Sequence, residues 1–225
     1  MSQFDRSELV SLAECYFQNG AYNDVIGYMK KVIEMVTPLN FHEKGLVFDS
    51  YNSLKKPYIN TYYPFNRCSL NEKLSREVRK KSDTAINRIC DEAIELLNSY
   101  LVERDVSNEA VAHCKGYIAR QYYEKAFIIS AEESENTKSR SLEYFEEASK
   151  IANENLNPAH PVRLSIACDF SKFHYKILDS VSNGLAISKD AYQKGKHCLV
   201  ELPEDLKYHA EKHLKELSEN IDNWS

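Results

Sequence analysis

The stretch LNPAHPVRLSIACDFSKFHYKILDS, residues 156–180, decides the fold class. From Pro161 to Leu178 the apolar residues Ile166, Phe170, Phe173 and Ile177 recur in steps of three and four, which places them on one buried face of a helix. Ser165, Asp169, Lys172 and Lys176 follow the same spacing on another face. That polar stripe reads equally as a solvated surface or as one that binds something.

Working outward, the rest of the chain repeats the helical pattern. Six Gly and six Pro in 225 residues leave long segments without breakers, which favours helices over many short strands. The first two helices are expected at Ser7–Asn19 and Tyr22–Val36, broken at Gly20. A third begins near Phe41, where Pro57 should kink or end it early, before a loop through Tyr62 to Asn66. Ser69 or Asn71 opens a fourth that reaches Tyr100, a fifth runs from Ser107 to Ala131, and a sixth from Ser139 to Asn155. After the Pro161 helix come Asn183–Glu201, capped by Asn183, and Pro203–Asn223, with Pro203 at its first position. The last of these buries Leu206, Ala210, Leu214, Leu217, Ile221 and Trp224, with His213, Glu216 and Asn220 opposite and Lys212 adjacent. The fold class is all-α, with nine helices.

Composition narrows the function. A net charge of −5 and a pI near 5.9 argue against a protein that wraps nucleic acid or coats an anionic membrane. The sequence lacks the apolar run of ~18 to 20 residues that crosses a bilayer, and its start lacks the order of a signal peptide, so a cytoplasmic location is expected. The six cysteines form no Cys-x-x-Cys pair and fit reduced thiols. His209 and His213, four apart, read as a surface pair, and neither a metal nor another cofactor is expected. The glycines form no phosphate loop and the serines no nucleophile elbow, so the chain is not expected to be an enzyme.

The stretch at 156–180 resembles the helix that walls the phosphopeptide groove of 14-3-3 proteins. The resemblance rests on Pro158, His160 and Pro161, on Arg163-Leu164, on Phe170-Ser171 and Phe173, and on Tyr175 to Leu178. Leu217 to Trp224, LSENIDNW, is similar to that family's last helix, with Asn220 four residues before Trp224. The resemblance implies one domain over 1–225 with a concave groove: residues 1–101 would supply the dimerisation half and the first groove wall, residues 102–225 the second. It implies an adaptor for phosphorylated partner proteins in signal transduction. A tetratricopeptide-type array is the other fold that Tyr16 to Tyr28 suggests, but no second copy follows at its 34-residue period.

Carried over residue by residue, the resemblance gives a departing phosphate site. His113 to Gln121, HCKGYIARQ, keeps the family's fifth-helix Arg as Arg120 and puts Gln121 in place of a Tyr. On the third helix Asn52 stands for a Lys, Ile59 for the phosphate Arg and Tyr63 for a further Arg, although a gap there would slide Lys55 or Lys56 toward the site. Each lost charge-assisted contact costs roughly 1.5 to 3 kcal/mol, so losing two weakens phosphate binding on the order of 10² to 10⁴ fold. Lys115, Lys172, Lys176 and Lys212 would supply replacement charge. Asp169 and Asn220 match the residues that hold the peptide backbone, while Lys212 and Glu216 replace apolar residues that cradle its side chains.

The same resemblance places the dimer interface at Cys15, Asn19, Ala21, Asp24, Lys81 and Ala85. Asp24 and Lys81 keep one intersubunit ion pair, and Ala21 and Ala85 drop both members of another, which leaves no orphan charge. A homodimer, or a heterodimer with a paralogue, is expected. The alternative function is a phosphorylation-independent protein-binding module or a heterodimer partner, using Tyr62, Tyr63 and the lysine stripe. The sequence ends one residue after Trp224, and no acidic tail is expected to fold back over the groove.

Overall fold

The computed structural model describes the backbone of residues 4–35, 37–65, 72–103, 106–128 and 131–225, and the side chains of these apart from 61–65, 72, 73, 75, 103 and 131–133. Among them are nine α-helices, one short 3-10 turn and no strand. The chain divides into two compact units, 1–105 and 106–225.

The first unit holds α1 (Arg6–Gln18), α2 (Tyr22–Glu34), α3 (Phe41–Phe65) and α4 (Glu72–Glu103). Asp5 caps α1 in a reciprocal capping box with Glu8, satisfying amides that a helix start leaves open. Gly20, at φ 74°, takes the left-handed conformation that lets the chain reverse between α1 and α2. Met29, Val32, Val47, Tyr51, Ala93 and Leu97 are buried in this unit. Arg6 ties α1 to α3 through two bonds to Glu43, at 3.0 and 2.7 Å, and donates to the carbonyls of Thr37 and Pro38.

The third helix continues past Pro57 to Phe65, so Pro57 does not end it and residues 62–65 are not a loop. A proline inside a helix removes one backbone bond and costs about 3 kcal/mol. Here its ring is exposed on the outer side, and Leu46, Val47, Phe48 and Tyr51 anchor the helix before it.

The second unit holds α5 (Asn108–Ile128), α6 (Ala131–Asn155), α7 (Pro161–Lys176), α8 (Val181–Cys198) and α9 (Glu204–Trp224), with the 3-10 turn at Leu199–Glu201. His160 caps α7, its Nδ1 accepting from the Val162 amide at 3.3 Å, and Pro161 fills the first turn, where its missing N–H costs nothing. Leu164 and Cys168 of α7 pack with Ala210, Leu214 and Leu217 of α9. Phe173 of α7 packs with Ala119 of α5 and Phe145 of α6. Trp224 stacks flat on Tyr175, 4.4 Å between ring centres, tying the end of α9 to that of α7.

The differences from expectation include three helix starts. The sixth helix begins at Ala131, not Ser139, because 131–138 is a polar run with no apolar stripe to betray it. Ser180 rather than Asn183 precedes α8, and Pro203 caps α9 from outside instead of sitting within its first turn.

Candidate functional site

The candidate phosphopeptide-binding residues fall mostly in the second unit, where α7 lies between α5 and α9. α5 presents Arg120 toward α7: its Nε donates to Glu124, one turn on, at 3.0 Å, and its terminal nitrogen lies 3.8 Å from Asp169. Asp169 foremost, with Glu124 adding, drives the guanidinium pKa further up, while burial works the other way. Arg120 remains about 37 % exposed and Asp169 about 20 %, so the pair is open on one side.

One turn along α7, Lys172 is paired with Glu216 of α9. Burial opposes the lysine's charge, but Asp169 and Glu216 outweigh it and raise its pKa. His213 beside the carboxyl, and the Lys172 ammonium, hold Glu216 down to about 2 against the pull of burial. Cys168, almost fully buried between these helices, has its thiol pKa pushed well up by that burial.

Not all the candidate cations join this group. Lys115 points to α6, where it meets Glu147 at 2.5 Å and the Tyr144 ring. Lys176 and Lys212 are exposed. Gln121 is fully buried and donates to the Tyr117 carbonyl of its own helix at 3.3 Å. Asn220 is buried rather than on the open face, and its side-chain amide nitrogen has no hydrogen-bond partner.

In the first unit Asn52 and Ile59 lie half-buried on α3, Lys55 is buried and Lys56 exposed. The side chains of Tyr62 and Tyr63 lie outside the described residues. Asp24, Lys81, Cys15 and Asn19 are exposed, and Ala21 and Ala85 half-buried. Asn19 closes α1, donating to the Cys15 carbonyl at 2.8 Å.

Sequence reasoning did not find Glu124, Glu147 or Cys168 beside these residues, although it set His213 on the same face of the last helix as Glu216. The four-residue step from Arg120 to Glu124 was a usable signal, since such residues neighbour each other on a helix. Meetings between α5 and α6, or α7 and α9, leave no local spacing to read.

Residues 12–225 match the family model described as 14-3-3 protein. The chain belongs to the 14-3-3 family. It is 29% identical over 200 residues to 14-3-3 protein beta/alpha of Mus musculus, 84% of this chain and 80% of that protein. Against the Homo sapiens protein of the same name the identity is 28% with the same shares, and against that of Gallus gallus 27% over 197 residues, 84% and 81%. As a 14-3-3 protein it is an adaptor that binds phosphoproteins, and not an enzyme. Among the described residues no helix is long and apolar enough to cross a membrane.

Proposed function

We propose that this 14-3-3 protein binds phosphoserine and phosphothreonine segments of partner proteins with a weakened phosphate contact centred on Arg120, and that it does so as a cytoplasmic dimer in signal transduction. The observation that carries the reading is the engagement of Arg120 by two carboxylates, Glu124 at 3.0 Å and Asp169 at 3.8 Å. A phosphate dianion must displace or share them. The third-helix positions assigned to its other partners hold Asn52 and Ile59, which bring no charge. Lys172, whose charge also feels Asp169, is already paired with Glu216, and a lysine is a point charge without the planar fork that matches a phosphate. The two units, 1–105 and 106–225, serve as one adaptor domain in this reading.

Titration of matched phosphorylated and unphosphorylated peptides tests it. The phosphorylated form binds more tightly but weakly, Arg120→Ala erases the difference, and Asn52→Lys with Ile59→Arg increases it. Submicromolar binding by the native chain would show that the third helix supplies a cation, Lys55 or Lys56 first. Equal binding of both peptides by the native chain would make it a phosphorylation-independent module.

A further inference from the structure

The packing of α7 against α9 gathers three metal-ligating side chains. Cys168 of α7 and His213 and Glu216 of α9 each bring one ligand atom within 4.8 Å of the other two. His213 and Glu216 stand three apart, the step that sets two side chains on one helix face. Cys168 faces them from the neighbouring helix, close enough for its Sγ to donate to the His213 carbonyl at 3.5 Å.

The polar atoms are arranged for a shared partner. His213 Nδ1 is shut off from solvent and makes no hydrogen bond of ordinary length. It lies 3.7 Å from Glu216 Oε2, while the other carboxylate oxygen, Oε1, is the one that Lys172 holds. Around a tetrahedral zinc ion, with bonds of about 2.3 Å to sulfur and 2.0 to 2.2 Å to nitrogen and oxygen, ligand atoms stand roughly 3.3 to 3.6 Å apart. The His213–Glu216 separation of 3.7 Å is close to that spacing, and the Cys168 sulfur, within 4.8 Å of both, would close by about 1 Å at most. Cys168 is not in a disulfide.

We propose that Cys168 Sγ, His213 Nδ1 and Glu216 Oε2 form a binding site for a divalent transition-metal ion of the zinc type, with water in the fourth position. A thiolate, an imidazole and a carboxylate together suit zinc or cobalt and not magnesium or calcium, which take oxygen ligands. On binding, the Cys168 S–H bond breaks and a sulfur–metal bond forms; the proton passes to solvent and no oxidation state changes. Lys172 remains on Glu216 Oε1 as an outer partner that orients the carboxylate.

The test is titration of Co(II) into the full chain, reduced and freed of metal by a chelator. One ion binds per chain, with a near-ultraviolet thiolate-to-cobalt charge-transfer band and visible ligand-field absorption, and Zn(II) displaces it. Cys168→Ser abolishes the charge-transfer band. His213→Ala and Glu216→Gln each weaken Co(II) binding at least as much as the roughly 10- to 100-fold typical of outer-shell changes. Glu216→Gln preserves side-chain size, so the result is readable even if Cys168→Ser folds poorly. The proposal is overturned by a wild-type chain without the band, by a band that follows Cys15 or Cys198 instead of Cys168, or by unchanged binding in both His213→Ala and Glu216→Gln.

Discussion

Arg120 sets the terms at the scale of single residues. The resemblance assigns it the role of surviving phosphate donor because HCKGYIARQ carries it in a recognisable frame. Its surroundings were not legible, because Asp169 comes from another helix 49 positions along the chain. The resemblance sets that carboxylate where the family's pattern has an uncharged Asn. Asp169 stabilises the cation at 3.8 Å, and it also repels any anion that approaches the same guanidinium. Asp169→Asn removes the repulsion while keeping a side chain that hydrogen-bonds a peptide backbone. A partly exposed ion pair is worth up to about 1 kcal/mol, so Asp169→Asn should tighten phosphopeptide binding by up to about fivefold and leave the unphosphorylated peptide unaffected. Isothermal titration of both peptides against both proteins checks this. Equal tightening for the two peptides would mean that Asp169 acts on the backbone and not through Arg120.

Among the elements, α7 does the organising, since it packs on α5, α8 and α9. Its apolar stripe was readable from spacing alone, and Ile166 and Phe173 are indeed buried, although Phe170 and Ile177 are only half so. Helices with a clear stripe and a breaker at each end were placed within a residue or two, as α1 was. Pro57 and the polar start of α6 misled because local chemistry there is overruled or silent: tertiary burial of Tyr51 and its neighbours carries α3 on, and a polar run gives no period to count. The α7–α8 contact gives a test in which two effects oppose each other. Gly184 in α8 lies so close to α7 that an added Cβ would sit 2.8 Å from the Ser171 carbonyl oxygen and 3.4 Å from Tyr175 Cβ. Helix propensity alone would make Gly184→Ala stabilising by about 1 kcal/mol. The contact is with backbone, which cannot rotate away, and overpacking of this kind costs about 1 to 3 kcal/mol. Urea unfolding of Gly184→Ala should therefore show a net loss of stability. A gain would mean that α8 slides freely on α7.

For the molecule as a whole, the question is what a second copy does. The residues that the resemblance assigns to the dimer interface all belong to the first unit, and its one retained ion pair, Asp24 with Lys81, consists of exposed side chains available to a partner. Each chain carries a net charge of −5, so two copies repel at long range and association depends on local complementarity and apolar contact. Two-fold symmetry would use the pair twice, Asp24 of each copy meeting the partner's Lys81. An exposed pair contributes only ~0.2 to 1 kcal/mol, but placing like charges opposite each other costs more than losing the attraction. Sedimentation should find the native chain at twice its 26.0 kDa at micromolar concentration. Lys81→Asp sets two carboxylates against each other at both symmetric positions and should weaken the dimer by about tenfold or more. The double change Asp24→Lys with Lys81→Asp restores opposite charges with the order reversed, and should recover most of the native affinity. A general loss of stability would not be repaired by reversal, so recovery assigns the effect to this pairing. A native chain that sediments as a monomer, or a double variant no better than Lys81→Asp alone, would remove Asp24 and Lys81 from the interface.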